Sequence, residues 1–194
     1  MFQQTIIDLN PRSSTAWQLI QEPDRVHHTV RLINPSQQRV LWRLHGTQLA
    51  LRHREPLNWQ ALERDGRLLG EHRSASPSFM FERGTELHFN VLAYIRRRPR
   101  TGSWIVQRPP AYLEWLQRCA SDHGFQALDV QALTQISYLV RTSSLSLRLQ
   151  PVELMGRLRV NAPETFAQTM TDGLGRMRAY GCGLVLLKDA RVQF

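Results

Sequence analysis

Basic and apolar residues alternate with a period of two from Arg39 to Leu44, the pattern of a strand with one face buried. Gly46-Thr47 turns the chain into a second such strand, Gln48 to Arg54, whose exposed side is again basic. Ahead of them, Phe2 to Leu9 carries Ile6, Ile7 and Leu9, predicts a first strand, and is closed by Asn10-Pro11. A looser polar segment with Trp17, Leu19 and Ile20 follows. The period then changes, because Val26, Val30 and Ile33 stand at i, i+4 and i+7, one apolar face of a helix. Glu22-Pro23-Asp24 starts it, with proline at the first position and acids against the helix dipole, and Asn34-Pro35-Ser36 ends it. Asp24, His27, His28 and Arg31 therefore share its other side.

Leu57 to Arg64 fits a short helix, and Gly66, Gly70, Ser74, Ser76, Pro77 and Ser78 read as loop. Thr85 to Ile95 is a strand that runs into Arg96-Arg97-Arg98-Pro99-Arg100, either a solvated charge cluster or an RNA contact at a domain junction. Pro109-Pro110 precedes a helix with Tyr112, Leu113, Leu116 and Cys119, which stops near His123-Gly124. Ala132 to Val140, Leu145 to Leu149 and Val152 to Val160 are strand candidates. Asn161-Ala162-Pro163-Glu164 reads as a capping box with Asn161 as N-cap, opening a helix with Phe166 and Met170 inside and Gly173 at its end. A short buried strand at Leu184 closes the chain. Strand, helix, strand, strand, strand is most of a ferredoxin-like unit, and a second begins near residue 105. The expected class is α+β, two tandem ferredoxin-like (RRM-like) domains, residues 1–100 and 101–194.

Composition narrows the function. A hydrophobic share of 42% over 194 residues is incompatible with wholesale disorder. No apolar run is long enough to span a bilayer and the polar N-terminus is not that of a signal peptide, so a soluble cytoplasmic protein is expected. Cys119 and Cys182 form no metal-ligand spacing or disulfide scaffold, and no cofactor is expected. The formal charge is +9, and Lys188 is the only lysine among 25 basic residues. Codon bias in a GC-rich genome explains arginine over lysine as well as function does, but it does not explain the net charge. Arginine grips phosphate with a planar fork and stacks on bases, so nucleic acid is the expected partner, well ahead of a membrane surface.

Four glycines stand among the eleven residues from Gly173 to Gly183, with Arg176 and Arg178 between them. Nucleotide-binding glycine loops follow a strand and open a helix, whereas this one follows a helix and opens a strand. Two readings stay open: backbone lying on an extended anionic chain, or glycines that allow tight helix-to-strand packing.

Gly-Leu-Gly, then Arg178-Ala179-Tyr180-Gly181-Cys182-Gly183-Leu184, resembles the glycine-rich loop of the CRISPR-associated repeat-processing endoribonucleases, in detail the CasE branch, the RNA-cutting subunit of type I-E Cascade. The likeness continues through Leu9-Asn10-Pro11, the Pro23 to Thr29 helix start, the Arg-Val-Leu-Trp-Arg-Leu strand, Glu114 to Arg118, Gly124-Phe125 and Gly156-Arg157-Leu158. It implies metal-independent cleavage of the CRISPR repeat transcript beside a hairpin, by attack of a ribose 2′-hydroxyl that leaves a 2′,3′-cyclic phosphate and a 5′-hydroxyl. It also implies that the product stays bound in a Cascade-like assembly with other subunits. His27 falls where the family carries its catalytic histidine, with His28 beside it as a rival or RNA contact. The family's tyrosine position holds Asp24, expected to orient His27 at i, i+3 and favour its protonated form, making it the better acid. Tyr94-Ile95 replaces the Asn-Pro usual in relatives. Arg31 is a candidate for stabilising the phosphorane. Arg157 and Arg159, on one side of a strand, together with Arg176, Arg178 and the backbone at Gly173, Gly175, Gly181 and Gly183, are candidates for holding RNA. The rival readings are a catalytically inactive RNA-hairpin-binding subunit of the same fold and a DNA-binding scaffold acting through charge alone.

Overall fold

A computed structural model describes residues 2–64, 70–97, 105–106, 111–135, 137–141 and 146–188. The first unit comprises β1 (Gln3–Leu9), α1 (Ser14–Gln21), α2 (Pro23–Leu32), β2 (Leu41–His45), β3 (Gln48–His53), the short α3 (Gln60–Arg64) and β4 (Gly70–Ala75). Its antiparallel sheet has the order β2-β3-β1-β4. One face packs Ile7, Leu9, Trp42, Leu49 and Leu51 against Leu19, Val26, Val30 and Ile33 of the helices. Val26, Val30 and Ile33 are all buried, so the apolar stripe of α2 is the one its spacing predicts.

The chain goes on through β5 (Glu86–Ala93), β6 (Arg96–Arg97), β7 (Ile105–Val106), α4 (Ala111–Asp122), β8 (Phe125–Gln135), β9 (Tyr138–Arg141), β10 (Ser146–Leu149), β11 (Val152–Val160), α5 (Pro163–Asp172) and β12 (Leu186–Leu187). The second sheet has the order β12-β5-β11-β8. Phe89, Val91, Leu154 and Leu158 on its inner face meet Leu116 of α4 and Phe166 and Met170 of α5. Numbering the four strands of each unit in chain order gives 4-1-3-2 in both sheets, the ferredoxin-like arrangement twice in tandem.

Several sequence expectations change. The polar segment with Trp17 is the helix α1: Ser13 caps it through Oγ, Ala16 and Leu19 are buried, and Trp17 points outward. Gly70 to Ala75, read as loop, is the edge strand β4. The division at residue 100 does not coincide with the division between sheets, since β5 is a strand of the second sheet. The stretch Ala132 to Val140 is split between β8 and the β9–β10 hairpin, a separate two-stranded ribbon. Asn161 does not cap α5. Its N-cap is Ala162, with no side-chain bond, and the Gly124 carbonyl accepts from the amides of Asn161 and Ala162. Arg98, Pro99, Arg100, Gly66, Pro109, Pro110 and Leu145 lie outside the described residues.

The basic side of β2 and β3 is not solvent-facing. Leu41, Ala50 and Ile6 pack on Leu184 and Leu186 of the second unit. This packing takes Arg43 and Arg52 into the interface. Arg52 donates to the carbonyls of Met170 (2.7 Å) and Val185 (3.1 Å) and to Gln4 Oε1 (2.8 Å). Arg43 pairs with Glu153 at 2.7 Å, both side chains nearly dry at 2% and 10% exposure. Among the described residues no helix is long and apolar enough to cross a membrane.

Candidate catalytic and nucleic-acid-binding site

His27 stands on α2, one turn above the Pro23 start, and is half-buried because the chain between α5 and β12 folds over it. The ring of Tyr180 lies 4.9 Å from the imidazole, centroid to centroid. The Ala179 carbonyl accepts from Trp42 Nε1 at 2.9 Å and favours a proton on the imidazole. A neutral imidazole that gives its one N–H to this carbonyl keeps the other nitrogen as a free acceptor. The site is thus built from both units: a helix of the first and a loop of the second.

Burial holds His27 below the ordinary histidine range, and the neighbouring His28 and Arg31 push the same way. The Ala179 carbonyl and, least of all, Asp24 oppose them. This direction is opposite to the one expected from Asp24, whose contribution is the smallest. Asp24 is turned elsewhere: its Oδ2 accepts from the backbone N–H of Arg141 at 3.0 Å, while Oδ1 is buried with no protein partner. This bond ties the first turn of α2 to the β9–β10 hairpin. The hairpin reaches the loop too, since the Tyr138 hydroxyl donates to the Tyr180 carbonyl.

His27 opens into a cleft of about 760 Å³ that also exposes Arg31, Arg39, Gln37 and Arg178. Arg178 is braced by its bond to the Asp172 carbonyl at 2.6 Å. His28 is not in this cleft. Successive helical residues are 100° apart, and His28 faces a separate groove with Thr15, Gln18 and Arg25. Tyr94 and Ile95 are buried.

The glycines face protein. Gly173, Gly181 and Gly183 are buried, and all three, with Gly175, have φ between 78° and 83°. A β-carbon on Gly181 would stand 2.6 Å from the Trp42 ring, one on Gly183 2.5 Å from the Leu174 carbonyl, and one on Gly175 3.1 Å from Trp115. Close packing of the loop on its own protein is enough to require glycine at these positions. Arg176 is exposed on the loop.

Arg157 and Arg159 project from the open face of β11 on either side of the buried Leu158. Both are already paired: Arg157 with Asp129 and, at 3.2 Å, with Glu86, and Arg159 with Glu86 at 2.6 Å. Tyr180, Ala179, Trp42 and Arg39 are the site residues that sequence reasoning missed. Tyr180 and Ala179 stood inside the quoted loop motif, but nothing local reveals that they meet α2.

Known proteins resemble this one over nearly the whole chain. CRISPR-associated endoribonuclease Cse3 of Thermus thermophilus is 28% identical, over 93% of this chain and 97% of its own. The structure of CRISPR endoribonuclease Cse3 bound to 19 nt RNA superposes with a TM-score of 0.80 at 26% identity, covering 96% of this chain and 99% of that one. Thermus thermophilus Cse3 bound to an RNA representing a pre-cleavage complex gives 0.79 at 28% identity, covering 96% and 98%. The family model described as CRISPR associated protein spans residues 4–189, from β1 through the glycine loop to the strand beyond it, and the chain belongs to that family.

Proposed function

We propose that this protein is an endoribonuclease that matures CRISPR RNA by cutting the repeat transcript beside a hairpin, without a metal ion, and keeps its product in a Cascade-like assembly. The observation that carries the reading is a half-buried His27, packed against the Tyr180 ring, at the mouth of a cleft whose other charged groups are arginines. Its free nitrogen suits removal of the proton from a ribose 2′-hydroxyl. The oxygen then attacks the adjacent phosphorus, the P–O5′ bond breaks, and the departing oxygen is protonated from water in the open cleft. Arg31 and Arg178 suit the charge that builds on the phosphorane, which guanidinium groups stabilise by hydrogen bonds already in place. Tyr180 and Ala179 set the imidazole's plane and tautomer, and Arg157 and Arg159 suit the phosphates of an A-form stem.

Cleavage of a labelled repeat hairpin by purified protein in EDTA tests this, beside a copy with a 2′-deoxy sugar at the cut. One cut, lost with the deoxy sugar and with His27→Ala but kept in His28→Ala, is expected. The alternative is an RNA-holding subunit without catalysis, favoured by the carboxylate of Asp24 where relatives carry a phenol. Tight binding of an uncut hairpin by the wild type would establish that alternative.

A further inference from the structure

The cleft beside His27 is larger than one phosphodiester needs, and its volume of about 760 Å³ falls within the range in which nucleotide-sized ligands are enclosed. Its charge is one-sided. Arg31, Arg39 and Arg178 line it and, among the described residues, no carboxylate does. Asp172, just outside, is shared by two of the three: its carbonyl accepts from Arg178 and its Oδ1 lies 3.7 Å from Arg39. Its other carboxylate oxygen is occupied by Gln168. Among the described residues Arg39 is therefore held only by a long, exposed pair, its side chain 56% accessible, and can turn to a stronger anion.

Direction follows from α2. Its first turn is bound to the β9–β10 hairpin of the second unit through Asp24 and Arg141. The cleft extends from His27 the other way, toward the end of the helix and the segment up to Val40. Arg157 and Arg159, the candidate stem contacts, stand on the second sheet and outside this cleft. Two of the three amide side chains on this wall are spent on the protein: Asn34 donates to the Gln38 carbonyl, and Gln38 bonds the backbone of Arg54 and Glu55, while Gln37 is exposed. The wall thus offers three arginines against one exposed amide, so charge outweighs base-reading groups.

On the reading of the site given above, we propose that this cleft seats the nucleotides on the 5′-hydroxyl side of the cut, with Arg39 taking the first phosphate beyond the scissile one, whatever the bases. The test is equilibrium binding of full-length protein to repeat hairpins carrying a 2′-deoxy sugar at the cut and zero, one, two or four nucleotides beyond it. Wild-type affinity rises about tenfold over the first two nucleotides, the scale of one charge-assisted contact, equally for adenine and uracil tails. Arg39→Gln abolishes that rise, and the steepness of log affinity against log salt falls by about 0.7, one single-stranded phosphate contact. A tail without effect, a loss in Arg39→Gln that is the same with no tail, or a dependence carried by nucleotides added upstream would each overturn the proposal. Because these RNAs cannot be cut, a protein that binds tails through Arg39 yet cleaves nothing would sink the catalytic reading and leave this one standing.

Discussion

Replacing Glu153 by leucine strands a charge. The Arg43 side chain is 2% exposed, its only ion-pair partner among the described residues is Glu153 at 2.7 Å, and its Nε and Nη1 have no protein acceptor. Glu153→Leu leaves this guanidinium in a dry interface with nothing to balance it, and breaking a buried pair from one side costs about 3–5 kcal/mol. Glu153 also accepts from Asn90 Nδ2 at 2.7 Å, so the loss lies toward the upper part of that range. Against a total stability of about 5–15 kcal/mol, the variant is severely weakened. The double variant Arg43→Met with Glu153→Leu removes both charges and returns to within about 1 kcal/mol of wild type, because a well-packed apolar pair replaces a buried ionic one at little net cost. Urea unfolding at pH 7, followed by circular dichroism for all four members of the cycle, measures this. A Glu153→Leu cost below about 1 kcal/mol, or a double variant no better than the single, would show that the pair is not desolvated as described.

Other consequences are open to measurement. A base works deprotonated, and His27 is held below the ordinary histidine value, so kcat/KM for cleavage rises as pH climbs through a midpoint under about 6.5 and is flat above it. A midpoint above 6.5 in the free protein contradicts the site as drawn. Gly181→Ala meets both a positive φ of 82° and the Trp42 ring at 2.6 Å, whereas Gly46→Ala meets a φ of 57° and open space. Thermal melts therefore show a larger loss for Gly181→Ala, with the Gly46 variant limited to about 1–2 kcal/mol of backbone strain. Only the Gly181 variant slows cleavage, because Trp42 holds the carbonyl that orients His27. Glu86→Gln releases Arg159 from its ion pair and leaves Arg157 with Asp129 alone, and hairpin affinity at low salt increases several-fold. Unchanged affinity would mean that β11 is not where RNA lies.

The apolar stripe of α2 was legible because Val26, Val30 and Ile33 are buried and, of the polar residues between them, only Thr29 is. β4 was not, since five of its six residues are exposed and an edge strand with no buried alternate positions carries no period. β5 was found as a strand but assigned to the wrong neighbours, because its partners β11 and β12 come later in the chain. Arg43 and Arg52 show where alternation misleads: it separates two faces of a strand, but it cannot tell water from a second domain. His27 could be named from its place in a motif. The residues that tune it, Tyr180 and Ala179, reach it only through tertiary contact, which no local pattern encodes.

The site's two halves are made at very different times. α2 leaves the ribosome early, while the loop that bears Ala179 and Tyr180 follows only after both sheets have their inner strands. Until that loop docks, His27 lacks the carbonyl that fixes its tautomer and the ring that sets its plane. A nascent chain therefore carries the histidine without the site, and competence waits for that later loop. Two fragments divided between β4 and β5 would each be silent and would regain function only on reassociation, a complementation that reports directly on the interface between the units.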